Sequence, residues 1–211
     1  MRLPILDWAV GYRTDWLRLS ASVPYLRIDG AGVVLGPDGK PLPGVPTAAG
    51  TRSGVGDASL GATVSLPSDR LAGFEVDLGG RVKLPTSQRS KGLGTGKTDV
   101  SVSADVSYPV GAWSPFVTLG YRMPGDPEDV PLKNTFTASA GASLAVGRTI
   151  LIGSYDYAEA SSPAAKDSHE LFGAVNTPIT DRVSWTGYGT AGLSKGAPDF
   201  GVGVLFSLKL N

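Results

Sequence analysis

Thr98-Asp99-Val100-Ser101-Val102-Ser103-Ala104-Asp105-Val106-Ser107-Tyr108-Pro109-Val110 is the stretch that decides the fold. Val100, Val102, Ala104, Val106, Tyr108 and Val110 fall on one face. Asp99, Ser101, Ser103, Asp105 and Ser107 fall on the other. Alternation of period two belongs to a β-strand, whose successive side chains point to opposite sides of the sheet.

The pattern repeats outward in both directions. Phe74, Val76, Leu78, Val82 and Leu84 alternate with Glu75, Asp77, Arg81 and Lys83. Ala58, Leu60, Ala62, Val64 and Leu66 share a face, as do Phe136, Ala138, Ala140, Ala142, Leu144 and Val146. At the end of the chain Phe200, Val202, Val204, Phe206, Leu208 and Leu210 do the same. Eleven strands are expected, at 3–13, 16–28, 56–67, 72–86, 97–110, 113–123, 133–146, 149–160, 167–180, 182–194 and 199–210. Segments of roughly ten residues suit a tilted strand that crosses a bilayer.

The connections are sorted by length. Tight turns fall at Thr14-Asp15, Pro67–Arg70, Gly111-Ala112, Gly147-Arg148 and Thr180-Asp181. Longer Gly- and Pro-rich loops fall at 29–55, 86–97, 124–132, 160–167 and, more briefly, 194–198. Short turns on one side and long loops on the other are the plan of outer-membrane barrels. Tyr12, Trp16, Tyr108, Trp113 and Trp185 lie near the tight turns, and Tyr25, Tyr121, Tyr155 and Tyr157 toward the long loops, as two interfacial girdles would.

Composition agrees. The 211 residues carry no net charge, which gives no electrostatic case for nucleic acid. Cysteine is absent, which excludes thiol chemistry and cysteine metal sites. No apolar run is long enough for a transmembrane helix, and Asp7 and Arg13 interrupt the start as a secretory signal. The fold class expected is all-β: an antiparallel up-and-down transmembrane β-barrel of about 12 strands, forming one domain over 1–211. Eleven strands place the two termini on opposite sides, whereas bacterial barrels have an even strand number. A strand and a signal peptide are therefore expected before Met1.

Three segments carry a family resemblance. They are Trp16–Ile28, Gly54-Val55-Gly56-Asp57-Ala58-Ser59-Leu60-Gly61-Ala62 and Gly92-Leu93-Gly94-Thr95-Gly96-Lys97-Thr98-Asp99-Val100-Ser101. Together they resemble the outer-membrane transporter-like proteins associated with the meta-pathway of phenol degradation. The resemblance covers most of the chain from Trp16 onward. It implies an outer-membrane channel with a link to aromatic compounds.

Other chemistry finds little support. Gly92–Thr98 has a lysine-threonine ending like a phosphate loop, but Lys91 stands where the first glycine is required and a strand follows instead of a helix. His169 is the only histidine, so a histidine or cysteine zinc site lacks ligands. Asp167-Ser168-His169 suggests a hydrolase only superficially, because a triad is defined in space and not by adjacency.

The mid-strand charges are more informative. An Arg or Lys facing lipid would cost about 2–4 kcal/mol, so charges in spanning strands must face the lumen. The expected pore-lining residues are Glu75, Asp77, Arg81, Lys83, Asp99, Asp105, Arg122 and Asp156. The function expected is passive passage of small molecules, aromatic or otherwise hydrophobic, without a cofactor. A structural or ligand-binding barrel with a plugged lumen is the alternative, and an outer-membrane hydrolase or a soluble β-sandwich are lesser ones. Membrane lipid and lipopolysaccharide, a small-molecule solute and the barrel-assembly machinery are the partners this implies, with no nucleic acid. The long loop contains Pro37-Asp38-Gly39-Lys40, a strong turn signal, and would either fold into the lumen or stand outside.

Overall fold

The computed structural model describes residues 2–30, 50–88, 91, 93–125, 132–162 and 165–209. Twelve strands form one antiparallel sheet. They are β1 (Arg2–Arg13), β2 (Leu17–Gly30), β3 (Gly50–Val55), β4 (Ser59–Leu66), β5 (Glu75–Lys83) and β6 (Asp99–Ser107). The remainder are β7 (Trp113–Met123), β8 (Thr135–Val146), β9 (Thr149–Ala158), β10 (Ser168–Pro178), β11 (Val183–Gly192) and β12 (Phe200–Leu208). Each strand pairs with its neighbour in sequence, the up-and-down order expected, except that β2 pairs with both β3 and β4.

β3 corrects the expected loop. The sequence places a loop across 29–55, yet Gly50–Val55 pairs with Tyr25–Gly30. Its sequence, Gly-Thr-Arg-Ser-Gly-Val, has a single large apolar residue and hence no alternation to read. β3 and β4 are one strand interrupted at Gly56–Ala58. Ser59 pairs with Ser22 and Val55 with Tyr25, so three residues oppose two, which is a β-bulge. Gly56 is required there, since a Cβ would lie 2.9 Å from both Pro24 and Leu26 side chains. The turn signal at Pro37–Lys40 lies outside the described residues.

Which face points outward follows from exposure. Along β4 and from Trp113 to Tyr121 of β7 exposure alternates residue by residue, and the exposed members are apolar, among them Leu60, Val64, Leu66, Val117, Leu119 and Tyr121. The strongest case is Val202, apolar and 74% exposed. Among the described residues the only buried apolar side chains are Leu93 and Ala174. A soluble sandwich would show the reverse. Water would not tolerate so large an apolar belt, and the ladder satisfies backbone groups as a membrane requires. The expected girdles stand on this outer surface, with Tyr12, Trp16, Tyr108 and Trp113 exposed near the tight turns and Tyr121 and Tyr155 toward the other end.

The edges of the sheet are β1 and β12, with no pairing between them among the described residues. Both run from the long-loop end to the tight-turn end. A direct ladder between them would be parallel, and an antiparallel closure takes one further strand between the two.

Candidate functional site on the inner face

Cross-strand register brings all eight charged candidates to the inner face. Asp77 lies opposite Asp105, and Lys83 opposite Asp99. Asp105 continues to Thr118, Thr118 to Ser139, Ser139 to Asp156, and Asp156 to Glu170. One row across six strands thus carries Asp77, Asp105, Asp156 and Glu170. Arg81, Ser101 and Arg122 form a second row nearer the long loops.

The long-loop end holds a connected ionic network. Lys83 Nζ lies 3.2 Å from Asp57 Oδ2 and 3.0 Å from Asp99 Oδ2. Arg122 Nη2 donates to the same Asp99 oxygen at 2.6 Å, and the Gly125 N–H donates to Asp99 Oδ1 at 3.1 Å. Asp57 Oδ1 accepts from the Ser87 N–H at 3.0 Å, and Lys83 also donates to Thr95 at 3.4 Å. Asp99 is 4% exposed. It therefore ties strand ends β5, β6 and β7 to the segments that follow Lys83 and Met123. Leu93 is buried on the same side, against the bare backbone of Gly54. Asp57 was not among the expected residues, although the expected strand 56–67 contains it; it sits in the bulge that precedes β4.

The acidic row is partnered differently. Asp77 has Arg18 at 3.6 Å, a half-exposed pair of little energetic weight. Asp105 accepts from Thr118 Oγ1 at 2.6 Å, and Asp156 from Ser139 and from Ser154 at 3.1 Å. Glu170 accepts from Ser168 Oγ at 2.8 Å. Glu75, at the tight-turn end, accepts from Ser107 at 3.3 Å. None of the ion pairs among the described residues includes Glu75, Arg81, Asp105, Asp156 or Glu170.

Across β9 to β12 the inner face changes character. Below Asp156 stand Ile152 and Ile150; below Glu170 stand Phe172 and the buried Ala174. Ala174 lies opposite Tyr188, and Thr186 opposite Leu205. The Phe172 and Tyr188 rings are 6.2 Å apart between centroids and inclined by 27°, an offset stack. Sequence reasoning missed Glu170 and this wall. Glu170 alternates with His169 and Leu171 and could have been found; the apolar wall could not, since its members come from four strands and stand among Ser, Thr, Asn and Gly on the same face.

Ser168 and His169 are not brought together. Ser168 projects inward to Glu170, while His169 projects outward, its Nδ1 hydrogen-bonded to the Tyr155 hydroxyl and its ring 5.2 Å from that of Tyr157. Neighbouring residues on opposite faces of a sheet form no nucleophile–base dyad. His169 instead belongs to the rim, where its N–H donates to Ser194 Oγ at 3.1 Å. Nearby, Lys133 donates to Glu159 at 2.6 Å, which holds the Glu159 carboxyl below and the Lys133 ammonium above their ordinary ranges; the Phe136 N–H adds to the effect on Glu159.

An apolar exterior around a hydroxyl- and charge-lined interior, with tight turns at one end and long loops at the other, defines a transmembrane β-barrel. The chain belongs to the family described as "Putative MetA-pathway of phenol degradation", whose profile matches residues 6–210. Its fold is similar to that of a crystallographically solved outer-membrane channel from Pseudomonas putida F1, with a TM-score of 0.71 at 18% identity over 95% of this chain and 79% of the other. No curated protein matches by sequence.

Proposed function

We propose that the protein is an outer-membrane channel through which small solutes pass passively along the inner face. The observation that carries this reading is the division of the sheet: apolar residues outside, and a continuous inner row of Asp77, Asp105, Thr118, Ser139, Asp156 and Glu170. A packed structural plug would leave fewer carboxylates without cationic partners, because unpaired charge in a dry interior is costly. The fold likeness to an outer-membrane channel and the family's description support the same reading, and the latter supports aromatic compounds as cargo.

The eight charged residues then line the conduit, but not equally. Lys83, Asp99 and Arg122 neutralise one another within the network. Glu75, Asp105, Asp156, Glu170 and Arg81 act on passing ions. Carboxylates dominate that set, so current should be carried mainly by cations. Ser87 and Thr95, bonded to Asp57 and Lys83, and the buried Leu93 stand at the long-loop mouth and favour small conductance.

The test is single-channel recording in planar bilayers on protein whose folding is shown by a gel-mobility shift on boiling. Small, ohmic, cation-preferring steps are expected. Folded protein that gives no current in repeated insertions would replace the channel with a closed binding or structural barrel.

A further inference from the structure

Two observations on the inner face of β9 to β12 lack a structural purpose. Asp156 and Glu170 are directly opposite one another across a strand pair. Like charges so placed destabilise a sheet, and the partners of both are hydroxyls: Ser139 and Ser154 for Asp156, Ser168 for Glu170. Immediately beside them lies apolar surface that faces neither lipid nor a core. Tyr188 is 39% and Leu205 46% exposed, although both point to the inner side. The Tyr188 ring leans over Gly203, where any side chain would collide with it, and stacks with Phe172. Glycine at 203 therefore leaves the ring laid flat along the wall.

The two features are contiguous. Glu170 and Phe172 are two residues apart on the same face of β10, and Asp156 and Ile152 lie along the same face of β9. Two residues of strand span about 7 Å. A carboxylate pair at that distance from an aromatic face matches a positive or hydrogen-bond-donating head joined to a ring by one or two methylene groups. The carboxylates would accept charge-assisted hydrogen bonds from the head, and the rings would stack with the aromatic part and attract the adjacent cation.

We propose that Asp156, Glu170, Phe172 and Tyr188 form a binding subsite for arylalkylammonium-type solutes, and that it discriminates against aromatic acids. The proposal rests on the inner face being a water-filled lumen. It goes beyond the channel reading by naming a place, a head-group charge and an order of preference. A carboxylate head on the same ring would meet two carboxylates and no compensating cation.

The experiment uses the full chain folded in detergent and three probes of one ring and near-equal length: phenethylammonium, phenethyl alcohol and phenylacetate. Binding is followed by calorimetric titration. Phenethylammonium should bind about tenfold more tightly than the alcohol, with phenylacetate weakest. Asp156→Asn with Glu170→Gln should erase the order, and Phe172→Ala or Tyr188→Ala should weaken all three probes while keeping it. Phenylacetate binding as well as phenethylammonium, or an order that survives the double carboxamide substitution, would overturn the site. If a variant does not fold by gel mobility, the wild type decides across ionic strength. Salt should weaken the ammonium probe and leave the alcohol unchanged, and equal salt responses would count against the proposal. Conductance in the same preparation separates the two readings. Selective binding without current retains the subsite and removes the channel, and current without selectivity does the opposite.

Discussion

The inner faces of β4–β7 and of β9–β12 are built on the same ladder, yet they solve different problems. On β5 and β6 every second residue except Gly79 is charged or a small hydroxyl, and the strand ends are locked by Asp99. On β9 to β12 the inner face sets Ile150, Ile152, Phe172, Ala174, Tyr188 and Leu205 among the polar Asn176, Ser184, Thr186 and Ser207. One wall holds the mouth in place; the other offers apolar surface to whatever enters. A sheet needs alternation only where its two sides meet different solvents, and the second wall shows that a lumen need not be polar throughout.

The sharpest way to break the comparison is at Asp99. Asp99→Ala leaves Lys83 and Arg122 facing each other without their shared carboxylate. Lys83 keeps Asp57 and Arg122 is half exposed, so the cost is that of lost hydrogen bonds to a buried carboxylate, about 1.5–3 kcal/mol. Urea unfolding in detergent should show a loss of that order, and a change below about 1 kcal/mol would mean the network is solvated.

Of comparable size is the distinction between faces. Val204→Arg places a cation against lipid and should cost about 2–4 kcal/mol, whereas Leu205→Arg, one residue on, should fold nearly as well as wild type. Equal penalties in a unfolding series in lipid bilayers would show that β12 has no water-facing side.

Selectivity separates free charges from locked ones. Arg81→Gln should raise the cation-to-anion permeability ratio severalfold, and Asp105→Asn should lower it, both read from reversal potentials in a salt gradient. Lys83→Gln should act mainly on stability, because its charge is already opposed by Asp57 and Asp99. A larger selectivity shift from Lys83 than from Arg81 would reverse these assignments.

The smallest effect is at the rim. Glu159 titrates below its ordinary range because Lys133 and the Phe136 N–H favour the carboxylate. A depressed carboxylate adds stability at pH above its unfolded value, and that stability fades as pH falls through the folded one. The 159–167 segment should therefore become easier for an acid-active protease to cut as pH drops through and below the usual carboxylate range. Lys133→Met should flatten the dependence.

Legibility in the sequence followed the same division. Eleven strands were readable because lipid on one side and water on the other impose period two on Val100–Val110 and its counterparts. That the eight charged candidates share one face was readable for the same reason. β3 was not, having almost no apolar residues to alternate. The Phe172–Tyr188 wall was not, since single apolar residues on separate strands are joined into one surface only by cross-strand register. The Asp57–Lys83–Asp99–Arg122 network joins residues from one bulge and three strand ends, and only cross-strand register brings these together.

Leu93 and Ala174, the only buried apolar side chains among the described residues, have a calorimetric consequence. The heat-capacity change of unfolding arises mainly from apolar surface that passes from a dry interior into water. Here most such surface already meets lipid or detergent and can stay there when the strands part. The stability of this protein should therefore vary almost linearly with temperature, with little of the dome that makes water-soluble domains weaken again in the cold.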